Sequence, residues 1–209
     1  MKYEILRKKF KNTLVFDQKS IKIVDPSFNP KLLFDWQKKG LIKKIIRGKY
    51  IFCENELKDL EKYTIANLIY EPSYLSLESA LSIYGIIPET VFAITSVSSN
   101  KTKVFYTDIG PFSYKRIKPS LFFGYTVINQ AKICYRIADL EKALLDFLYL
   151  NPKIKTQQDF ENTRLDLTLL QEELNQNKFL DYLARFSVKS LAQRATNLLR
   201  SINNAWPCN

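Results

Sequence analysis

Residues 29–52, NPKLLFDWQKKGLIKKIIRGKYIF, decide the fold. Their first half has the signals of a short helix. Asn29 can cap it, Pro30 suits a first helical position whose N–H would have no partner anyway, and Gly40 supplies the stop. Between them, Lys31 to Lys39 turns Leu32, Leu33 and Trp36 toward a core and leaves Lys31, Asp35, Gln37, Lys38 and Lys39 mostly outside. After Gly40 the apolar period shortens. Leu41 to Ile46 and Lys49 to Phe52 read as two strands, with Arg47-Gly48 as the tight turn between them.

Upstream of this stretch, Lys2 to Lys11 reads as a helix with Ile5, Leu6 and Phe10 on one side. Phe16 to Val24 is a second apolar-periodic stretch that ends at Asp25-Pro26. Three short helices followed by a basic hairpin is the order of a winged helix-turn-helix, expected over residues 1–53. The third helix is narrow enough for the major groove of B-DNA. On that reading Lys31 and Gln37 are candidates for base contact. Lys38, Lys39, Lys43, Lys44 and Lys49 are candidates for phosphate contact, and the wing sets Arg47 beside the neighbouring backbone or minor groove. Modules of this order that bind only protein also exist, and charge favours the nucleic acid.

The formal net charge is +11, and its placement matters more than its size. Residues 1–53 hold 14 Lys/Arg against 4 Asp/Glu, whereas residues 54–209 hold 18 against 17. A lysine-rich genome would load both parts alike. A basic excess confined to one module is the electrostatic footprint of a polyanion partner. Duplex DNA is the expected one. An anionic membrane surface would instead call for a basic amphipathic helix with exposed apolar anchors.

The chain has no histidine, which removes Ser-His-Asp and Cys-His catalysis, histidine-ligated zinc and imidazole switches. Cys53, Cys134 and Cys208 are far apart and odd in number, giving neither a disulfide framework nor a zinc knuckle. A reduced, cytoplasmic compartment fits. No apolar run approaches the roughly 18 residues of a membrane helix, and the basic N-terminus lacks a signal-peptide core. Gly40, Gly48, Gly85, Gly110 and Gly124 form no dinucleotide or phosphate loop. No Gly-Ser pair precedes an Asp-x-Asp, so the usual nucleotidyltransferase metal pair is missing too. Asp139, Glu141 and Asp146 share one helix. Only Asp139 and Asp146 project roughly one way, and capping explains the first. The expectation is therefore no enzyme, no cofactor and no metal.

The rest of the chain reads as α+β. A connecting helix is expected over 54–71, with Leu57, Leu60, Ile65 and Leu68 inside and Glu54, Glu56, Asp59 and Glu61 favouring its N-terminal end. From 72 to 209 the expectation is an antiparallel-sheet domain flanked by helices, with a C-terminal helical bundle. Ser76 caps a helix through Tyr84 that Gly85 stops. Val91–Ser98, Lys103–Thr107, Phe112–Ile117, Leu121–Ile128 and Ala131–Arg136 are strand-like, and Asp139 caps an apolar helix from Leu140 to Leu150. Beyond residue 153 the pattern is helical. Val188, Leu191, Ala192, Ala195, Leu198, Leu199 and Ile202 form a core stripe capped by Ser187, leaving Lys189, Arg194 and Arg200 on a solvated rim.

A second basic patch stands out. Lys101, Lys103, Lys115, Arg116 and Lys118 face only Asp108 over residues 101–118. On adjacent strands they can form one face toward flanking DNA, RNA or an acidic protein. Alternatively they are hairpin-end charges that guard exposed edges.

These pieces together resemble the AbiEi antitoxin family of type IV toxin–antitoxin systems. The resemblance rests on Lys38-Lys39-Gly40-Leu41-Ile42 leading into Arg47-Gly48-Lys49-Tyr50, and on Tyr74-Leu75-Ser76-Leu77-Glu78-Ser79-Ala80-Leu81 with Tyr84-Gly85-Ile86-Ile87-Pro88. It also rests on Ala93-Ile94-Thr95-Ser96 with Phe112-Ser113-Tyr114, and on Ala138-Asp139-Leu140-Glu141-Lys142-Ala143-Leu144-Leu145-Asp146. It implies a winged helix that binds operator inverted repeats and represses its own operon. It also implies a C-terminal part that carries antitoxicity against a nucleotidyltransferase-like toxin. Type IV antitoxins oppose the toxin's effect without a stable complex; neutralisation of the toxin by direct contact is the alternative.

Overall fold

The structure is a computed structural model that describes residues 1–53, 57–88 and 92–204. Glu54 and Glu56 of the expected connecting helix, Val91 at the head of an expected strand, and Cys208 lie outside the described residues. The N-terminal module runs α1 (Tyr3–Lys9), β1 (Phe16–Asp17), α2 (Gln18–Val24), α3 (Lys31–Lys38), β2 (Ile42–Ile46) and β3 (Lys49–Phe52). Its small sheet has the order β1-β3-β2, with both pairings antiparallel. This is a winged-helix-like arrangement.

Local chemistry accounts for its boundaries. The stretch read as helical from Phe16 begins instead with a two-residue strand. Asp17 then caps α2, its carboxylate accepting from Ser20 N at 2.7 Å while Ser20 Oγ accepts from Asp17 N at 3.0 Å. That reciprocal pair needs extended backbone at Asp17, so the helix starts at Gln18. At the end of α3, Gly40 N donates to Gln37 O and Leu41 N to Trp36 O, both at 3.0 Å. These are the two bonds of a Schellman stop, which needs the positive φ of Gly40. Asn29 accepts from Lys31 N at 3.0 Å, as its capping role requires.

The body follows: α4 (Asp59–Ile69), β4 (Ser73–Leu75), α5 (Leu77–Ile83), β5 (Ile94–Ser98), β6 (Lys103–Thr107), β7 (Gly110–Arg116), β8 (Tyr125–Gln130), β9 (Ile133–Ala138) and α6 (Leu140–Leu150). Helices α7 (Gln157–Asn162), α8 (Leu167–Glu173), α9 (Gln176–Phe186) and α10 (Lys189–Asn204) complete it. The six strands take the order β6-β7-β5-β4-β9-β8. The sheet is mixed rather than wholly antiparallel, because β5 pairs with β7 and β4 with β9 in parallel. The expected antiparallel order assumed that consecutive strands are neighbours. Here β7 inserts between β5 and β6, and β4, which is not among the expected strands, is a central strand.

Helix α4 covers one sheet face. Tyr114 Oη donates to Ala66 O, while Thr64 Oγ1 and Asn67 Oδ1 accept from Cys134 N and Arg136 N of β9. Two side chains of α4 thus stand in for a neighbouring strand. They turn Thr64 and Asn67 inward and leave Leu60, expected inside, 47% exposed. Tyr114 is in register with Ser96, and Ser96 with Leu75, whereas Tyr74 lies opposite Val97. Tyr74 therefore projects to the opposite face, toward α6.

There Lys142 and Asp146 form a salt bridge one helical turn apart, both with no exposed side-chain surface. Asp146 also accepts from Tyr74 Oη at 2.8 Å and Ser76 Oγ at 2.9 Å. Burial pushes the Asp146 carboxyl up and the Lys142 amine down, and their mutual attraction opposes both. The helix carboxylates therefore separate. Asp139 caps α6 and, with Glu141, holds Lys178 of α9 at 2.9 Å, while Asp146 points inward.

Three expectations for the C-terminal helices fail. Ala192, expected in the core stripe, is exposed. Ser187 closes α9 in the left-handed region instead of opening the next helix. Arg194 is not on a solvated rim. It is 5% exposed, and its guanidinium donates to Leu148 O and Asn151 O at the end of α6. Carbonyls there have no partner within the helix, and a buried arginine satisfies them.

Two stability outcomes are expected. Asp146→Ala strands the Lys142 charge in the core and lowers unfolding free energy by about 3–5 kcal/mol, read from urea denaturation. Asp17→Ala lowers it by about 1 kcal/mol at neutral pH through loss of the cap. The Ser20 N–H holds the Asp17 carboxyl below the usual carboxylate range. The cap is therefore fully effective above the ordinary aspartate pKa and is lost as pH falls through the depressed folded value, so the two proteins converge in acid.

Candidate nucleic-acid interface

The buried side of α3 is set by Leu33 and Trp36, which pack with Leu6, Phe10, Phe16, Ile21, Phe28, Ile42 and Phe52 in the module's own core. That orientation presents Lys31, Phe34, Asp35 and Lys38, at i, i+3, i+4 and i+7, as one exposed stripe. Lys39 is exposed just beyond it. The Lys38 ammonium lies over the Phe34 ring, 4.5 Å from its centroid.

The expected contact residues do not all join this stripe. Gln37 is half-buried, and its amide donates to Leu33 O at 3.0 Å, tying it to the helix's own backbone. Lys43 and Lys44 are both exposed, yet they are consecutive on β2, opposite Ile51 and Tyr50, so they leave opposite faces of the strand. Arg47 is exposed at the hairpin turn. Lys49 turns away, donating from Nζ to Leu68 O at 2.5 Å. That carbonyl is one of the last four of α4, which have no intrahelical partner, and a cation suits that end of the helix dipole.

Phe34 was not among the residues that the sequence singled out. The signal was present: an aromatic residue off the Leu33/Trp36 stripe, three residues after Lys31 and four before Lys38.

The second patch assembles at one end of the sheet. Lys103 begins β6 opposite Tyr114, near the end of β7, so the antiparallel pairing brings Lys101 and Lys103 to the end that carries Lys115, Arg116 and Lys118. All five are exposed. The Lys103 ammonium lies 4.6 Å from the centroid of the Phe105 ring, and Arg116 N donates to Thr102 Oγ1 at 3.0 Å. Lys101 O accepts from Tyr70 Oη at 2.8 Å. The end of α4 thus touches Lys49 of the hairpin through Leu68 and the second patch through Tyr70.

Among the described residues, no group of three His, Cys, Asp or Glu could hold a metal ion, and no helix is long and apolar enough to cross a membrane. No protein-family model matches the chain, and no curated protein matches it. The N-terminal module is thus defined by its topology and its exposed charge: a winged-helix-like module compatible with DNA binding.

The lysines should differ in reactivity. In brief acetylation of the native protein, Lys31, Lys38, Lys39, Lys43 and Lys44 are modified first, Lys49 lags, and Lys142 reacts only after unfolding. Peptide mass spectrometry reads the order.

Proposed function

We propose that this chain is a sequence-specific DNA-binding repressor of its own operon and the antitoxin of a type IV toxin–antitoxin pair. The observation that carries the DNA reading is the exposed basic stripe of α3 in a winged-helix-like module that holds nearly all of the chain's positive excess. Lys31 and Lys38 lie seven residues apart, about 10 Å along the helix, a span that fits across a major groove of about 12 Å. Arg47 at the hairpin turn reaches the neighbouring backbone. Lys101, Lys103, Lys115, Arg116 and Lys118 extend the cationic surface past the end of α4 toward flanking duplex. Neutralised phosphates release condensed counterions, and this supplies the sequence-independent part of the affinity.

The antitoxin reading rests on the AbiEi-like stretches. Two of them meet in the body: Tyr74 and Ser76 from one, Lys142 and Asp146 from the other, in a single buried polar cluster. Neutralisation of a nucleotidyltransferase-like toxin by direct contact is the second reading. Tyr106, 85% exposed on edge strand β6, favours it by offering an aromatic anchor on an open sheet edge, toward the turn that joins β6 to β7.

A gel shift on the gene's own upstream region, with a scrambled duplex as control, tests the repressor. Preference for the native duplex is expected, with log affinity falling against log salt at a slope of about −5 to −7 if roughly six to eight phosphates are neutralised. Arg47→Ala and Lys38→Ala each flatten that slope by about one, whereas Lys49→Ala leaves it unchanged because its ammonium is held by α4. Equal binding to both duplexes removes the specific-repressor reading. Co-expression with the product of the adjacent gene tests antitoxicity, and co-elution of the two proteins at micromolar concentration distinguishes the contact mode.

A further inference from the structure

Single apolar side chains on a protein surface are ordinary and need no explanation. Phe34 is a different case because of where it stands. It is 59% exposed at the middle of the α3 stripe, with Lys31 one turn before it and Lys38 one turn after. The Lys38 ammonium lies against its ring face, so the ring is held beside the cation and not folded back onto Leu33 or Trp36.

Asp35, exposed next to it, fixes the orientation of the stripe. A carboxylate cannot face a phosphate backbone without repulsion. A helix that docks through Lys31 and Lys38 must therefore point Phe34 and Asp35 between the two backbones, at the base edges. In the major groove, the apolar feature that a base edge offers is the C5 methyl group of thymine, and a cytosine amino group is a donor that a carboxylate accepts.

Resting on the DNA reading above, we infer that Phe34 is the specificity-determining residue of α3 and that it selects thymine by packing its ring on the C5 methyl. Asp35 stands beside it, toward a neighbouring base edge. The lysines at either end supply affinity without sequence information.

The experiment uses the full chain. Duplexes are selected from a random pool, and each thymine of the enriched site is then replaced singly by deoxyuridine, which removes only the methyl. One or two positions should lose roughly fourfold in affinity, the worth of about one buried methyl group. In Phe34→Ala the same replacements should have no effect. Phe34→Leu, which keeps an apolar side chain, should retain part of the discrimination. Because Phe34 is exposed, the variants should unfold at the wild-type urea midpoint, which separates loss of contact from loss of fold. A selective wild type that is indifferent to deoxyuridine at every position overturns the inference and leaves the repressor reading intact. So does a Phe34→Ala protein that still discriminates. Failure to enrich any duplex overturns the DNA reading, and this inference with it.

Discussion

The hairpin of β2 and β3 belongs to two cores at once, and the relation between the two parts of the molecule follows from that. Side chains alternate along a strand, so a hairpin has two faces to bury. Ile42 and Phe52, paired across the ladder, close the core beneath α1, α2 and α3. Ile51, between Tyr50 and Phe52, points the other way and joins the core of the body, and Ile45 follows it through the break in register between Lys44 and Ile46. The element that would be a free wing is therefore a shared wall. Lys49 fastens the same strand to the end of α4. What stays open for an outside partner is the α3 stripe, the turn at Arg47 and the edge lysines.

The body is organised around a buried charge pair. Removing Lys142 and Asp146 from water is expensive, and their attraction repays that only if the remaining polar valences are met. Tyr74 and Ser76 meet them, from β4 and the residue that follows it. The Lys142 ammonium also stands about 5 Å from the ring centroids of Phe123 and Phe186. A three-residue strand, the loop before β8, α6 and α9 are thereby held to one point. Such a cluster specifies one arrangement of these elements, since any slip leaves a charge unpaired in an apolar surrounding.

Much of the module was legible in the sequence because its signals are local. The turn from Asn29 to Gly40, the hairpin centred on Arg47-Gly48 and the inward faces of Leu33 and Trp36 depend on neighbours a few residues away. The body's helices and most of its strands were legible for the same reason. What was not legible depended on distant partners. Ser73 to Leu75 has no alternation to betray a strand, and its place between β5 and β9 comes from segments some twenty and sixty residues downstream. Arg194 carries charge and so reads as surface until Leu148 O is brought to it, and nothing local marks Lys142 as the buried partner of Asp146. For the candidate site, the stripe and the basic turn were readable, whereas the local capture of Gln37 and the long-range capture of Lys49 were not. Phe34 is not marked by its residue type, since an aromatic side chain on a short helix is usually core, and only its phase on α3 places it outside.

The two-sided hairpin also removes slack. A reading head on a flexible tether can adjust its attitude to a curved or unevenly spaced target. Here any swing of α3 against the body would unseat Ile45 and Ile51 together, at about 3–6 kcal/mol for two aliphatic side chains, so tilted forms are scarce. On the proposed DNA reading, head and body would meet a duplex as a single stiff unit. Two such units on neighbouring half-sites would have their separation dictated by contact between the bodies, and the spacing would record the width of the protein rather than the reach of a linker.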